Sequence, residues 1–429
     1  MKKLALTALL ALSFPLLGLC QDEPSDPDTT PGDLLRASAR KGDNGAQYQL
    51  GNNYFYGQGR KRNYTLAAYW YRKSADGGNP AAQFNWAIML DRGLGVNGAN
   101  RHEAFRWYSK AAEAGIPQAK FNCALTLISG LPEDLDNGHL AMPPAPARGR
   151  RMLSELCAES FIPAMTELAK VMLESPESDA DAVKAVALLE RAADSGKGDP
   201  AAMRLLADCS FEGNGAPKDH VKMMKWLALA AAKGDLEAKA KLAFCYEYGR
   251  GAEADKAKAL ALYKEAAEGG LPLAQVKYGE FIEEAAKSPE EVQTALSWYR
   301  KAAAAGSPQA NFKIGVRYMN GIGVDQSDGE AFKLFFQSAK DGYVRAQYNI
   351  ACMYLEGRGV APDPSAAAYW FKQAALRNDP NSQRRLALCY FEGKGVEKNS
   401  LEGERWLIKA AKGGDSIAIQ MLDAGSGGL

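Results

Sequence analysis

The sequence predicts an all-α fold, a stack of about ten helix–turn–helix hairpins, and three observations predict it. The stretch Ala346 to Asn381, AQYNIACMYLEGRGVAPDPSAAAYWFKQAALRNDPN, reads as a helix, a Gly-x-Gly turn, a second helix and a short loop. Shifted by 36 residues it overlays on itself: Ala310, Ala346, Ser382 and Ala418 fall in register, as do Gly321, Gly357 and Gly393. A third set, Ala339, Ala375 and Ala411, keeps the same step. Periods of this length mark stacked helical hairpins, in which each unit contacts its neighbours only.

Residues 1–20 read as a signal peptide. Lys2 and Lys3 precede an apolar run from Leu4 to Leu19, too short for a stable span, and polar residues begin at Gln21. Gly18 and Cys20 are the small residues before a cleavage after Cys20. The alternative is a lipoprotein lipidated on Cys20, against which Leu19 counts because that signal wants a small residue there. The expected location is therefore exported, periplasmic or secreted. Residues 21–32 are acidic, rich in Pro, Ser and Thr, and without apolar period, which is the composition of a disordered linker. No later stretch has the roughly 18 apolar residues of a transmembrane segment.

The repeat domain is expected over 33–429. Asp33 is a candidate N-cap, and Leu34 to Lys41 resembles a second helix without its first, so it caps the array. Units then open at Ala46, Ala82, Ala119, Ala164, Ala202, Ala238, Ala274, Ala310, Ala346 and Ser382, and a partial helix from Ala418 to Ala424 closes the far end. The third unit carries a surplus, Leu131 to Ala147, whose prolines and lack of period predict a loop between its two helices. The fourth and seventh units lack the Gly-x-Gly turn.

Recurrent slots have physical reasons. The fifth residue past each opening is small, as in Gly51, Ala87, Gly279, Gly315 and Ala351, which lets the paired helix approach. In the second helix an aromatic recurs at Trp70, Trp107, Trp226, Tyr263, Trp298, Trp370 and Trp406, expected to fill the groove between hairpins. Gly77, Gly115, Gly234 and Gly306 are expected to end second helices in left-handed backbone, and Pro80, Pro117, Pro200, Pro272 and Pro308 to start first ones.

These residues carry a family resemblance. An opening Ala, then Leu-Gly, Tyr, Gly-x-Gly-Val, an aromatic pair and Lys-Ala-Ala resembles the Sel1-like repeat, a relative of the tetratricopeptide repeat; YWFKQAA, WYRKAAAAG and WLIKAAKGG are close fits. The resemblance covers roughly Asp33 to Ala424 and implies a right-handed α-solenoid acting as an adaptor in protein complexes. Some exported, cysteine-rich members resemble β-lactam-binding proteins with a disulfide in each repeat, one Cys following Lys-Ala and its partner eight residues on. Here Cys157 fills the first slot but Met165 the second, and Ala75, Ala112, Ala267 and Ala303 stand in the first slot elsewhere. That departure removes support for the subgroup's disulfides and activity.

Six cysteines follow Cys20. Cys209, Cys245 and Cys389 share one slot of three first helices, and equivalent helices sit about 8–10 Å apart, beyond disulfide reach. Buried free thiols are the reading for these, while Cys123 and Cys157, on two helices of one hairpin, are left open as a pair. His102, His139 and His220 are scattered, no nucleophile–base set stands out, and no Gly-x-Gly continues as a nucleotide loop, so neither catalytic residue, metal nor cofactor is expected. Lys plus Arg is 52 against 51 for Asp plus Glu, which gives no support for nucleic-acid binding.

The informative face joins residues two, six and nine past each opening. It supplies the candidate partner-binding groove: Tyr48, Phe55, Phe84, Ile88 and Phe121 toward one end of the array, Phe312 and Tyr348 toward the other. Between them the first of these slots holds Thr166, Arg204, Ala240 and Val276. The competing account packs these rings against neighbours. Functionally the sequence leads to an exported, non-catalytic scaffold for a protein or peptide, with a β-lactam-binding protein and an envelope-anchored lipoprotein as alternatives.

Overall fold

The computed structural model describes residues 23–25, 33–134, 137–196 and 198–426. The expected signal peptide, Cys20 and most of the linker lie outside the described residues. Twenty-two α-helices follow one another without a named strand among the described residues. They form two compact units. One extends to Ala202 and includes Asn214–Ala216; the other comprises Met203–Gly213 and the chain from Pro217 onward. The change of unit falls inside the helix Pro200–Glu212, through which the sequence register continues unbroken.

Helix starts follow from short polar side chains. Asp43, Asn79, Asp235, Ser307 and Asp379 each accept a hydrogen bond from the backbone N–H of the unit's opening residue. Asn63, Asn100, Asp255, Ser327 and Asn399 do the same for second helices. Asp33 caps Leu34–Arg40 through the N–H of Arg36. First helices end on left-handed glycines such as Gly357, at φ 71°. Two residues on, Gly359 lies so close to the start of the preceding second helix that a Cβ would fall on the carbonyl oxygen of Asp328. The second helix Tyr64–Asp76 ends differently from expectation: Gly77 has φ −77°, and Gly78 takes the left-handed position at φ 88°. Ser160 and Asn378, each at φ 62°, are left-handed without being glycine.

Packing within each unit rests on one buried side chain per hairpin, a ring in six of them and Leu153, Leu189, Leu227 or Leu407 in the others. That ring is the residue after an expected tryptophan at Tyr71, Tyr108, Tyr299 and Phe371, and follows Leu334 at Phe335. Tyr263 belongs to this slot, and Trp107, Trp226, Trp298 and Trp370 remain half-buried. The small slot on the first helix serves this ring, since a Cβ on Gly279 or Gly315 would stand 2.8 Å from Tyr299 or Phe335. A further tie escaped the sequence reading. Gln47, Gln83, Gln275, Gln347 and Gln383, one past the opening, donate to the carbonyls of Ala39, Ala75, Ala267, Ala339 and Ala375 at 3.0–3.5 Å. Each buried amide thereby fixes a first helix to the end of the helix before it.

The surplus of the third unit is more ordered than a loop. Leu131 pairs with Met142, and Asp134 with His139, as two antiparallel bridges between the helices Pro117–Ser129 and Pro146–Ala158. Residues 135–136 within it lie outside the described set. Cys123, Cys157, Cys209, Cys245, Cys352 and Cys389 are all free thiols, so the open pairing of Cys123 with Cys157 is not formed.

Candidate binding faces of the two units

In the first unit, the expected face is a row of half-buried rings, each lying on another ring. Tyr48 leans on Tyr71 with centroids 6.1 Å apart, Phe55 on Tyr64 at 5.4 Å, Phe84 on Tyr108 at 5.8 Å and Phe121 on Phe161 at 5.7 Å. Ile88 packs half-buried beside them. The polar partners here are neutral. The Tyr71 hydroxyl donates to Asn52 Oδ1 at 2.7 Å, and Asn85 donates to the same oxygen at 3.4 Å. Burial pushes the Tyr108 hydroxyl up to about 12, with nearby Asp91 adding to it. Asp91, in the nine slot of the same face, pairs with Arg101 at 3.6 Å.

In the second unit, Phe312 lies on Phe335 at 5.4 Å and Tyr343 at 5.1 Å, and Tyr348 on Phe371 at 5.7 Å. All seven candidate residues are therefore ring or core neighbours that keep part of their surface open. Five gather in the first unit and two in the second.

The stretch of the second unit before Phe312 is ionic. The Tyr263 and Tyr299 hydroxyls donate to Glu247 and Glu283, each at 2.9 Å. Glu283 pairs with Arg317 at 2.5 Å, and the guanidinium of Arg317 lies 4.5 Å over the Tyr299 ring. Lys313 reaches Glu280 at 2.6 Å, and Lys277 reaches Glu280 at 3.2 Å. Burial alone would raise the Glu283 carboxyl, but the hydrogen bond and charge of Arg317 outweigh it and hold it below its ordinary 4.5.

A hollow of about 610 Å³ opens beside this ladder, walled by Leu227, Ala240, Phe244, Tyr263 and Leu271, with Arg250 at its edge. Its cause is a missing ring. Ala240 stands where Phe84 and Phe312 stand in other units. The sequence signal was that blank, together with Phe211 and Phe244 nearby in the six and nine slots.

The chemistry of these faces is that of contact. Among the described residues no three His, Cys, Asp or Glu side chains are placed to hold a metal. Burial pushes the thiols of Cys123, Cys157 and Cys209 up to about 11, which makes them poor nucleophiles. No described helix is long and apolar enough to cross a membrane. His102 and His139, remote in sequence, stack at 4.9 Å where the insertion meets the helix Arg101–Glu113.

Hairpins in a fixed register, most with a buried ring and a glycine turn, define an α-solenoid of the tetratricopeptide-like class. The Sel1 repeat family model matches residues 45–79, 80–116, 162–197, 200–235, 236–271, 272–307, 308–343, 344–379 and 380–415. The chain belongs to the Sel1 repeat family. The third hairpin, with its insertion, falls in the gap between matched segments. A protective antigen of uropathogenic Escherichia coli displaying an SLR fold is 25% identical, with 90% of this chain and 80% of that one covered and a TM-score of 0.53. A Sel1 repeat protein of Oxalobacter formigenes is 28% identical, with 58% of this chain and 99% of that one covered and a TM-score of 0.52. Among curated proteins none matches. Sel1 repeats generally mediate protein interactions rather than catalysis.

Proposed function

We propose that the chain is an exported, non-catalytic scaffold that holds a protein or peptide partner on the inner face of its first helices. The observation that carries this reading is the row Tyr48, Phe84 and Phe121, half-open rings on three successive hairpins in the first unit. Aromatic side chains give large contact area at low entropy cost, and a few of them carry most interfaces. Export rests on the N-terminal pattern of residues 1–20 and fits the similar E. coli protein, which is a protective antigen.

The double variant Phe84→Ala with Phe121→Ala tests it. Both rings are half-buried on other rings, so each truncation costs about 2 kcal/mol, below the 3–5 of a fully buried Phe. A pull-down run beside a thermal melt should lose the partner at temperatures where the variant remains folded. Capture that survives until the melt, and vanishes only with it, assigns these rings to packing alone. Fractionation of wild type against Cys20→Ala separates a soluble exported chain from an anchored one.

A further inference from the structure

We propose that the hollow over Tyr263 receives a large apolar side chain of a peptide, whose neighbouring carboxylate is taken by Arg250. The inference rests on the interaction reading for its class of ligand and on a separate place in the second unit for its site. A hollow of about 610 Å³ falls within the range that ordinary ligand sites occupy. Its walls are apolar, so burying an aromatic or aliphatic side chain there removes area from water on both surfaces.

The charge at the mouth selects the occupant. Lys241 is paired with Asp208 at 2.6 Å, Lys277 with Glu280 at 3.2 Å, and Glu237 with Arg204 at 2.7 Å. Arg250 differs from these. Its guanidinium lies 5.0 Å over Phe244 and 5.6 Å over Phe211, and it has no carboxylate partner among the described residues. Stacking on two rings fixes its plane while leaving its N–H groups for an anion. On the far side of Phe211 a second hollow shares Arg250 and adds Lys218, His220 and Glu212. A peptide satisfies this mouth better than a fatty acid does. Its backbone offers donors and acceptors to the paired charges at the rim, whereas an acyl chain would set methylene groups against them.

Selection of a displayed random decapeptide library on the full chain tests the proposal. Enriched peptides should carry a large apolar residue within two positions of Asp, Glu or a free C-terminus. A synthetic member of that set should bind about tenfold more weakly to Arg250→Gln, where a charge-assisted bond is lost. Ala240→Phe restores the ring other units have in this slot and should abolish binding. Arg250 is exposed, so its variant reports on the site even if the Ala240 variant folds poorly. Three outcomes overturn the proposal: no enrichment, enriched peptides indifferent to both substitutions, or dodecanoate filling the hollow while no peptide does. The second of these leaves the interaction reading standing, because peptides then bind elsewhere on the chain.

Discussion

The first unit fills the slot two residues past three successive openings with rings, at Tyr48, Phe84 and Phe121, before Thr166; the second begins with Arg204, Ala240 and Val276 there. The buried tyrosines of the first unit include Tyr71, bonded to Asn52, while those of the second bond to Glu247 and Glu283. The same hairpin therefore yields a mainly aromatic face in one unit and an ionic, hollowed face in the other. What differs is confined to slots that the backbone does not need. The glycine turns, the small slot and the buried ring are shared, so the faces are free to diverge without cost to the array.

The largest expected effect sharpens that contrast. Arg317 is 2% exposed and paired with Glu283, so Arg317→Leu leaves a half-buried carboxylate without its cation and should cost roughly 3–5 kcal/mol. Adding Glu283→Leu should recover much of it, because two apolar residues then meet. In the first unit Asn52→Ala removes a neutral acceptor and should cost about 1–2 kcal/mol. Denaturant melts of the three variants measure this. Equal losses from Arg317→Leu and Asn52→Ala would mean that the ionic ladder has no energetic weight of its own.

The shared frame should respond equally in both units. Gly95 and Gly359 have φ 69° and 71°, and a Cβ on either would fall on the carbonyl oxygen of Tyr64 or Asp328. Left-handed strain and overlap together predict roughly 2–4 kcal/mol for Gly95→Ala and for Gly359→Ala. Gly59 has φ 67° but nothing within 4 Å, so Gly59→Ala should cost only about 1 kcal/mol. A large difference between Gly95 and Gly359 would show that the two units do not share their turn mechanics.

Much of this frame was legible in the sequence because it repeats. Register placed the hairpins, the capping helix at Leu34 and the turn glycines, each supported by several copies. What a side chain meets was less legible, even where it repeats, as with the glutamine one past the opening. The tryptophan drew attention from the residue after it, although Tyr299 and Phe371 are buried where Trp298 and Trp370 stay half-open. The hollow arises from what Ala240 lacks, and a missing side chain leaves no positive signal. The bridges Leu131–Met142 and Asp134–His139 sit in a proline-rich stretch with no alternation to announce a strand pair.

That insertion gives the smallest effect and a different pH window for each unit. His139 stacks on His102, with Glu103 and Arg106 on the same helix and Asp134 bridged to it. Burial lowers the His139 pKa below its ordinary 6.5, the charges of His102 and Arg106 lower it further, and Asp134 and Glu103 partly offset them. A lowered histidine favours the neutral ring in the docked state. Docking is thus fully present above pH 6.5 and weakens as pH falls toward the docked pKa, since the undocked ring takes its proton first. The protection of the Leu131 and Met142 amides, taken relative to the unstructured exchange rate at each pH, should fall a few-fold on going from pH 7.5 to 5. His139→Phe keeps an aromatic ring without a titrating nitrogen and should flatten that response. The ladder of the second unit follows Glu283, also lowered, so its contribution persists above 4.5 and is lost only as pH falls through the still lower folded value. Protection that falls around Glu283 and Arg317 in the same interval as at Leu131 would break the assignment, because one window belongs to an imidazole and the other to a carboxylate.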